Sequence, residues 1–339
     1  MRSKSFFKDF YSLLALAISG ALCIILITVL CIKNANNPGF AEILKNLSTV
    51  FIGISGFLSA ILMVFLAISA MNLKSNKLKI INKISKTTQK MHHFRSIAEI
   101  MFNSNIWLPG LKEYIEREFA DLTYFDLKEF YKGKSRLAIE FLQETHHFGE
   151  TENLYLEMKS LLMTNPREKH IPETIDYPVV YDNSIVEKWV KHKSGSGLWY
   201  VFGYKYGVYK ESINLDAVFE RHQEKILTLA NTIDNDEFED SSFNEVFFSK
   251  LWEYMTKDVI PKLYQFQAQN DGKTPHLINY LHTIFLLLMV FGVLLPLSYL
   301  MVNFSEVVII IGYSIVISTI FFIAVTFRSF LSKEVNNNF

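Results

Sequence analysis

Cysteine is almost missing from this chain: there are two in 339 residues, Cys23 and Cys31, both within or at the end of one apolar run. That excludes a disulfide framework and a zinc cluster built from cysteines, and it suits a reducing compartment. Net charge is missing too, since 34 Lys and Arg offset 34 Asp and Glu. The whole chain therefore offers no field that would recruit a DNA or RNA duplex. No HExxH, GxSxG, Ser-x-x-Lys or P-loop pattern occurs, so no motif argues for an enzyme. There is no internal repeat and no long low-complexity tract. The most telling absence is local. Four long stretches contain not one Lys, Arg, Asp or Glu.

Those stretches, 11–32, 50–73, 277–302 and 307–327, are apolar throughout. At about 1.5 Å per residue, each is long enough to cross a hydrocarbon core about 30 Å thick. A single ion at its centre would cost roughly 3 kcal/mol. The pattern predicts transmembrane hairpins over 1–73 and 277–339, the second with a short tail, and a polar domain over 74–276. The first run is longer than the apolar core of a signal peptide and reads as an uncleaved helix. Cations mark one side of the membrane: Arg2, Lys4 and Lys8, then Lys74, Lys77, Lys79, Lys83, Lys86, Lys90 and Arg95, then Arg328 and Lys333. The connections 33–49 and 303–306 are poor in them. By the positive-inside rule, both termini and the central domain are cytoplasmic. The sequons at Asn46 and Asn303 fall in the outer loops, too close to the membrane to indicate glycosylation.

The polar stretch reads mostly as helix. Leu73, Lys77, Ile80, Ile84, Thr87, Met91, Phe94, Ala98 and Met101 carry the second span onward with coiled-coil-like spacing, broken at Lys77 and Thr87. Such a seam pairs with another chain or packs on its own domain. Helices are expected over 111–119, 125–147, 153–163 and 185–191, and from 215 behind an Asn214 cap. A last one starts at a Ser242/Glu245 capping box and continues past a kink at Pro261. Residues 198–210, rich in aromatics and punctuated by Gly203 and Gly207, read as a β-hairpin. The expected fold is a mainly α membrane protein: four transmembrane helices (2+2) flanking a largely helical cytoplasmic domain with one aromatic β-hairpin.

That hairpin is the best ligand-site candidate. Trp199, Tyr200, Tyr204 and Tyr206 could stack bases, while Lys205, Lys210 and Arg167 neutralise phosphates; the alternative is that the rings are plain core. Gly195-Ser196-Gly197 lacks the strand-before, helix-after order of a phosphate loop and reads as a turn. Asp234, Asp236, Asp240, Ser242 and Glu245 match calcium-loop spacing, but Glu239 stands where that loop needs glycine. The pairs His92/His93 and His146/His147 point apart on a helix and read as surface residues. Inside the second span, Ser55, Gly56 and Ser59 are candidates to line a pore, the alternative being tight helix packing. No intramembrane carboxylate or central histidine is present for a proton-driven motor or an ion-coupled transporter.

In segment order the whole chain resembles bestrophin-like channels and the four-helix channel effectors of bacterial antiphage systems that open on nucleotide signals. Motor stators are similar in order but require a proton-carrying partner. The antiphage resemblance implies a homo-oligomer in the bacterial inner membrane, a small nucleotide activator on the cytoplasmic domain, and depolarisation as output. The expected function is a channel gated by its cytoplasmic domain, with no cofactor and the lipid bilayer as constant partner. A membrane-anchored receptor or scaffold, and a membrane-embedded enzyme, are the alternatives.

Overall fold

A computed structural model of the protein describes residues 10–37, 39–133, 135–144, 148, 151–171, 175–271, 275–302 and 304–336, without the side chains of 10–12, 276–277 and 327–336. Arg2, Lys4, Lys8, His146, His147 and the Asn303 sequon lie outside the described residues, as do the Arg328 and Lys333 side chains. In chain order the helices are α1 (Phe10–Asn36), α2 (Phe40–Asn103), α3 (Leu111–Glu118), α4 (Tyr124–Lys128), α5 (Arg136–Gln143), α6 (Thr151–Leu162), α7 (Asn183–His192) and α8 (Ser196–Tyr200). They continue with α9 (Tyr206–Tyr209), α10 (Glu220–Ile233), α11 (Asn235–Phe238), α12 (Glu245–Tyr254), α13 (Ile260–Asn270), α14 (His276–Leu287), α15 (Leu295–Val302) and α16 (Glu306–Asn336). Two compact units result, Met1–Asn76 with Lys273–Phe339, and Lys77–Gly272.

The first unit holds four helices long and apolar enough to cross a membrane: Leu13–Asn36, the first part of Phe40–Asn103, Ile278–Val302 and Glu306–Thr326. Most of their outward side chains are apolar, among them Ile25, Val64, Phe65, Leu294 and Val307, as contact with lipid requires, and the outward Thr28, Thr283 and Ser298 hydroxyls bond carbonyls of their own helices. Polar contacts between helices are turned inward. Ser19 Oγ donates to the Ser318 carbonyl at 2.8 Å, and the Asn34 amide donates to Glu306 at 2.9 Å, both tying α1 to α16. Pro296 follows a π-helical stretch, Leu288–Leu294. The wider turn makes room for a ring that would otherwise strike the carbonyl four residues back. Pro261 follows a second such stretch, Met255–Val259. The kink expected there takes the form of a π turn.

The central domain is built around the later turns of α2. Ile84, Met91, Phe94, Ala98 and Met101 are buried in its core with Trp189, Phe248 and Trp252. The seam therefore packs on its own domain. Arg95, on the same helix, is 0 % exposed. Its guanidinium donates to the Leu161 carbonyl at 3.0 Å, the Asp176 carbonyl at 2.6 Å and the Tyr181 hydroxyl at 3.2 Å, and also to the Leu162 carbonyl. It thus caps the C-terminus of α6, where helix carbonyls have no partner of their own.

The β-hairpin is not there. Among the described residues, β structure amounts to one isolated antiparallel bridge between Trp107 and Ile213. Residues 198–210 form α8, a π-helical stretch Val201–Lys205, and α9. The buried side chains Leu198, Val201 and Phe202 recur at three to four residues, which is helical spacing; a strand would bury alternate ones. High β-propensity of the aromatics lost to that period.

Smaller differences concern helix ends. The helix expected over 125–147 ends as α4 at Lys128 and resumes as α5 at Arg136; between them a 3-10 turn closes on Gly133, whose φ of +64° suits glycine. Asn214 caps only a 3-10 turn, Leu215–Ala217. α12 is capped by Asn244, which accepts from the Phe247 amide, rather than by Ser242.

Candidate functional site

Helical or not, 199–205 gathers an aromatic face. Trp199 and Tyr204 meet edge to face with centroids 6.2 Å apart, and Tyr200 and Tyr204 lie 5.8 Å apart. Lys205 Nζ sits 5.8 Å from the Tyr200 centroid. Spacings of four and five residues across the π turn bring these side chains to one side. Gly203 lets that turn close against α12, since a Cβ there would fall 2.6 Å from Ser249 Oγ. Lys257 completes the cluster: its Nζ is 4.2 Å from the Trp199 centroid and 2.7 Å from Glu253 Oε1. Nothing near Trp199 in the sequence signals Lys257, which reaches it from the π-helical stretch that follows α12.

The other sequence candidates stand elsewhere. Tyr206 turns to the core, its ring against Phe202 and its hydroxyl accepting from the Leu215 amide at 3.4 Å. Lys210 is exposed beyond α9. Arg167 is exposed after α6, and no contact of the aromatic face involves it; neighbouring Lys169 and His170 face Asp121 at 3.7 and 3.4 Å. An open face of rings and lysines can stack a planar ligand and attract an anion. Here, though, the tryptophan already carries a lysine of its own.

The glycine loop has an internal use. Gly195 has φ +97°, and the Gly195, Gly197 and Leu198 amides donate to the Glu157 carboxylate at 2.8, 3.2 and 3.2 Å. The Tyr124 hydroxyl donates to it at 3.1 Å. The amide nest that could bind a phosphate is filled by the protein's own carboxylate. Burial pushes the Glu157 carboxyl up, while the glycine amides and Tyr124 pull it down.

The acidic run is likewise engaged. Asp234 accepts from Lys90 at 2.9 Å and from the Tyr254 hydroxyl at 2.6 Å, and these contacts hold its carboxyl below the usual range, Tyr254 foremost. His92 bonds the Pro178 carbonyl at 3.0 Å, and burial lowers its pKa. Among the described residues no group of three or more His, Cys, Asp or Glu is placed to hold a metal ion.

In the first unit, Ser55 and Ser59 are 0 % and 2 % exposed. Gly292 allows the close approach, since a Cβ on it would fall against the Ser55 side chain. Neither hydroxyl has a hydrogen-bond partner among the described residues. By contrast, Ser314, Thr319 and Thr326 each bond the carbonyl four residues back. Ser48 bonds the Leu44 carbonyl and the Tyr313 hydroxyl. Gly56 is half-buried, with open space where a Cβ would stand. A seam of hydroxyls thus lies between the chain's own helices. The sequence showed the serines but not that Gly292 and Tyr313, more than two hundred residues away, face this stripe.

No protein-family model, curated protein or solved structure matches the chain. Its fold alone defines the class: a helical protein with four helices of membrane-crossing length and apolarity, and a polar helical domain inserted between the two pairs.

Proposed function

We propose that the chain is the protomer of an oligomeric membrane channel whose central domain lies on the cytoplasmic side and controls conduction in response to a small ligand. The observation that carries this reading is α2. It is one uninterrupted helix of 64 residues that bears Ser55 and Ser59 in its apolar part and the core residues Met91–Met101 further on. A continuous helix that runs through two units is a means of passing a displacement of one to the other. The unbonded hydroxyls support the same reading. A buried polar group without a partner costs about 1–3 kcal/mol, a cost that is recovered if the hydroxyls meet water in a conducting state. In the closed state they are held between the protomer's own helices. Lysines following the second span keep the central domain inside.

The test is to remove the hydroxyls without changing shape. Leucine at Ser55 would overpack against Gly292, so alanine is the informative replacement. Ser55→Ala and Ser59→Ala should each fold with unchanged or slightly raised stability, by up to about 1 kcal/mol. They should also reduce ion flux from proteoliposomes given mixed nucleoside phosphates on the domain side. Wild-type flux in both variants would remove α2 from the conduction path.

A further inference from the structure

The central domain contains a cleft of about 420 Å³ that neither the sequence motifs nor the proposed pore accounts for. One wall is the end of α2, where Glu99 and Asn103 stand one turn apart; Asn105 follows in the next loop. The facing wall is the start of α10, with Phe219, His222 and Lys225. Tyr177 closes one side, its hydroxyl donating to Glu99 Oε2 at 2.9 Å. The volume lies in the range of small-molecule sites, about 300–1,000 Å³.

What sets this cleft apart is unused binding capacity. Several charged groups elsewhere in the domain are spent on one another: Lys90 on Asp234, Lys159 on Glu116, Lys191 on Glu129. In the cleft, Lys225 has no ion pair and the Asn103 and Asn105 side chains have no hydrogen bond among the described residues. His222 Nδ1 is buried without a partner among the described residues. Phe219 is 68 % exposed, its ring 5.9 Å from that of His222. An aromatic ring, a free cation, a carboxylate with an oxygen to spare and two free amides converge on one space. Each selects a different part of a ligand. The ring stacks a planar base, Lys225 holds an anion, Glu99 accepts from neighbouring hydroxyls, and the amides read a base edge.

We infer that this cleft binds a phosphorylated nucleoside, with the phosphate at Lys225, the ribose hydroxyls at Glu99 and the base against Phe219. A simple carboxylate or phosphate would leave the ring, the amides and Glu99 unused. The aromatic face at Trp199 is the weaker site, because Lys257 already covers that ring and is paired with Glu253. Since Glu99 and Asn103 belong to α2, ligand contacts there act on the helix that carries Ser55 and Ser59. As the control point of a channel the cleft rests on the function proposed above; as a binding site it stands alone.

Titration calorimetry of the full chain in nanodiscs tests it, with 5′-AMP, 5′-GMP, 5′-CMP and 5′-UMP as probes and adenosine and inorganic phosphate as controls. At least one mononucleotide should bind saturably, and both controls at least about tenfold more weakly. Lys225→Ala and Phe219→Ala, both at exposed positions, should each weaken binding about tenfold or more, with circular dichroism and thermal midpoint unchanged. Trp199→Ala should bind as wild type. The inference is overturned if no mononucleotide binds at about 1 mM, if both cleft variants bind normally, or if only Trp199→Ala loses binding. Flux separates the two claims. Cleft-dependent binding without any ion flux upholds the site and removes the channel, whereas nucleotide-opened flux that Lys225→Ala leaves intact upholds the channel and removes the site.

Discussion

Arg95→Met should lower the unfolding free energy of the central domain by about 3 kcal/mol or more, placing it among the large effects that come from broken buried networks. The guanidinium is wholly buried and, among the described residues, no carboxylate pairs with it. Its charge is instead spread over three main-chain carbonyls and the Tyr181 hydroxyl, and over the faces of Tyr177 and Tyr181, whose centroids lie 5.5 and 5.3 Å away. Methionine fills much of the volume but donates nothing. The Leu161, Leu162 and Asp176 carbonyls then face the core unbonded, each at about 1–3 kcal/mol, less what is regained by no longer burying a charge. Arg95→Lys keeps the charge but not the planar fork, and should recover only part of the loss. Denaturant unfolding followed by tryptophan fluorescence reads the change, because Trp189 is in the same core and donates to the Ser160 carbonyl at 3.0 Å. An unchanged midpoint in the methionine variant would show that the α6 terminus is held by packing alone.

Glu157→Gln should cost about 2–3 kcal/mol, because one side-chain oxygen becomes a donor facing donors. Three amides and a tyrosine hydroxyl point at this group. Whichever way the glutamine amide is turned, at least one of them loses its acceptor. The effect should depend on pH. Burial raises the carboxyl above its ordinary value of 4.5. A group raised on folding contributes stability that is fully present below its unfolded pKa and is lost as pH rises through the folded one. The deficit of the variant is therefore expected to be larger near about pH 4 than near about pH 8. Equal deficits at both would show that the amide donors cancel the effect of burial. Gly197→Ala should resemble it, since a Cβ there would overlap the Glu157 carboxylate.

The four spans were legible because their signal is a long run without ions, which local sequence expresses directly. The continuation of α2 was legible in the spacing of Ile84, Met91, Phe94, Ala98 and Met101, and the helix expected over 153–163 matches α6, Thr151–Leu162. The segment 198–210 was misread because composition was weighed above period: its aromatics favour strands, yet Leu198, Val201 and Phe202 recur as on a helix. A π turn adds one residue to the repeat and blurs that pattern further. Contacts between distant residues left no local trace. Lys257 over Trp199, Gly292 against Ser55 and Arg95 beneath the end of α6 each join chemistry whose partners lie tens to hundreds of residues apart.

The stoichiometry of the purified chain in nanodiscs, read by native mass spectrometry, tests the proposed function most directly. Four helices whose outward faces are mostly hydrocarbon, with outward hydroxyls such as Thr28 and Ser298 bonded to their own helix, enclose no aqueous path alone, so a conducting form needs several copies around one axis. A closed ring of about four or five protomers is expected, the size at which one inward-facing helix per copy can surround a narrow channel. A monomer at every protein concentration would contradict it and leave the central domain as a receptor held at the membrane by its helices.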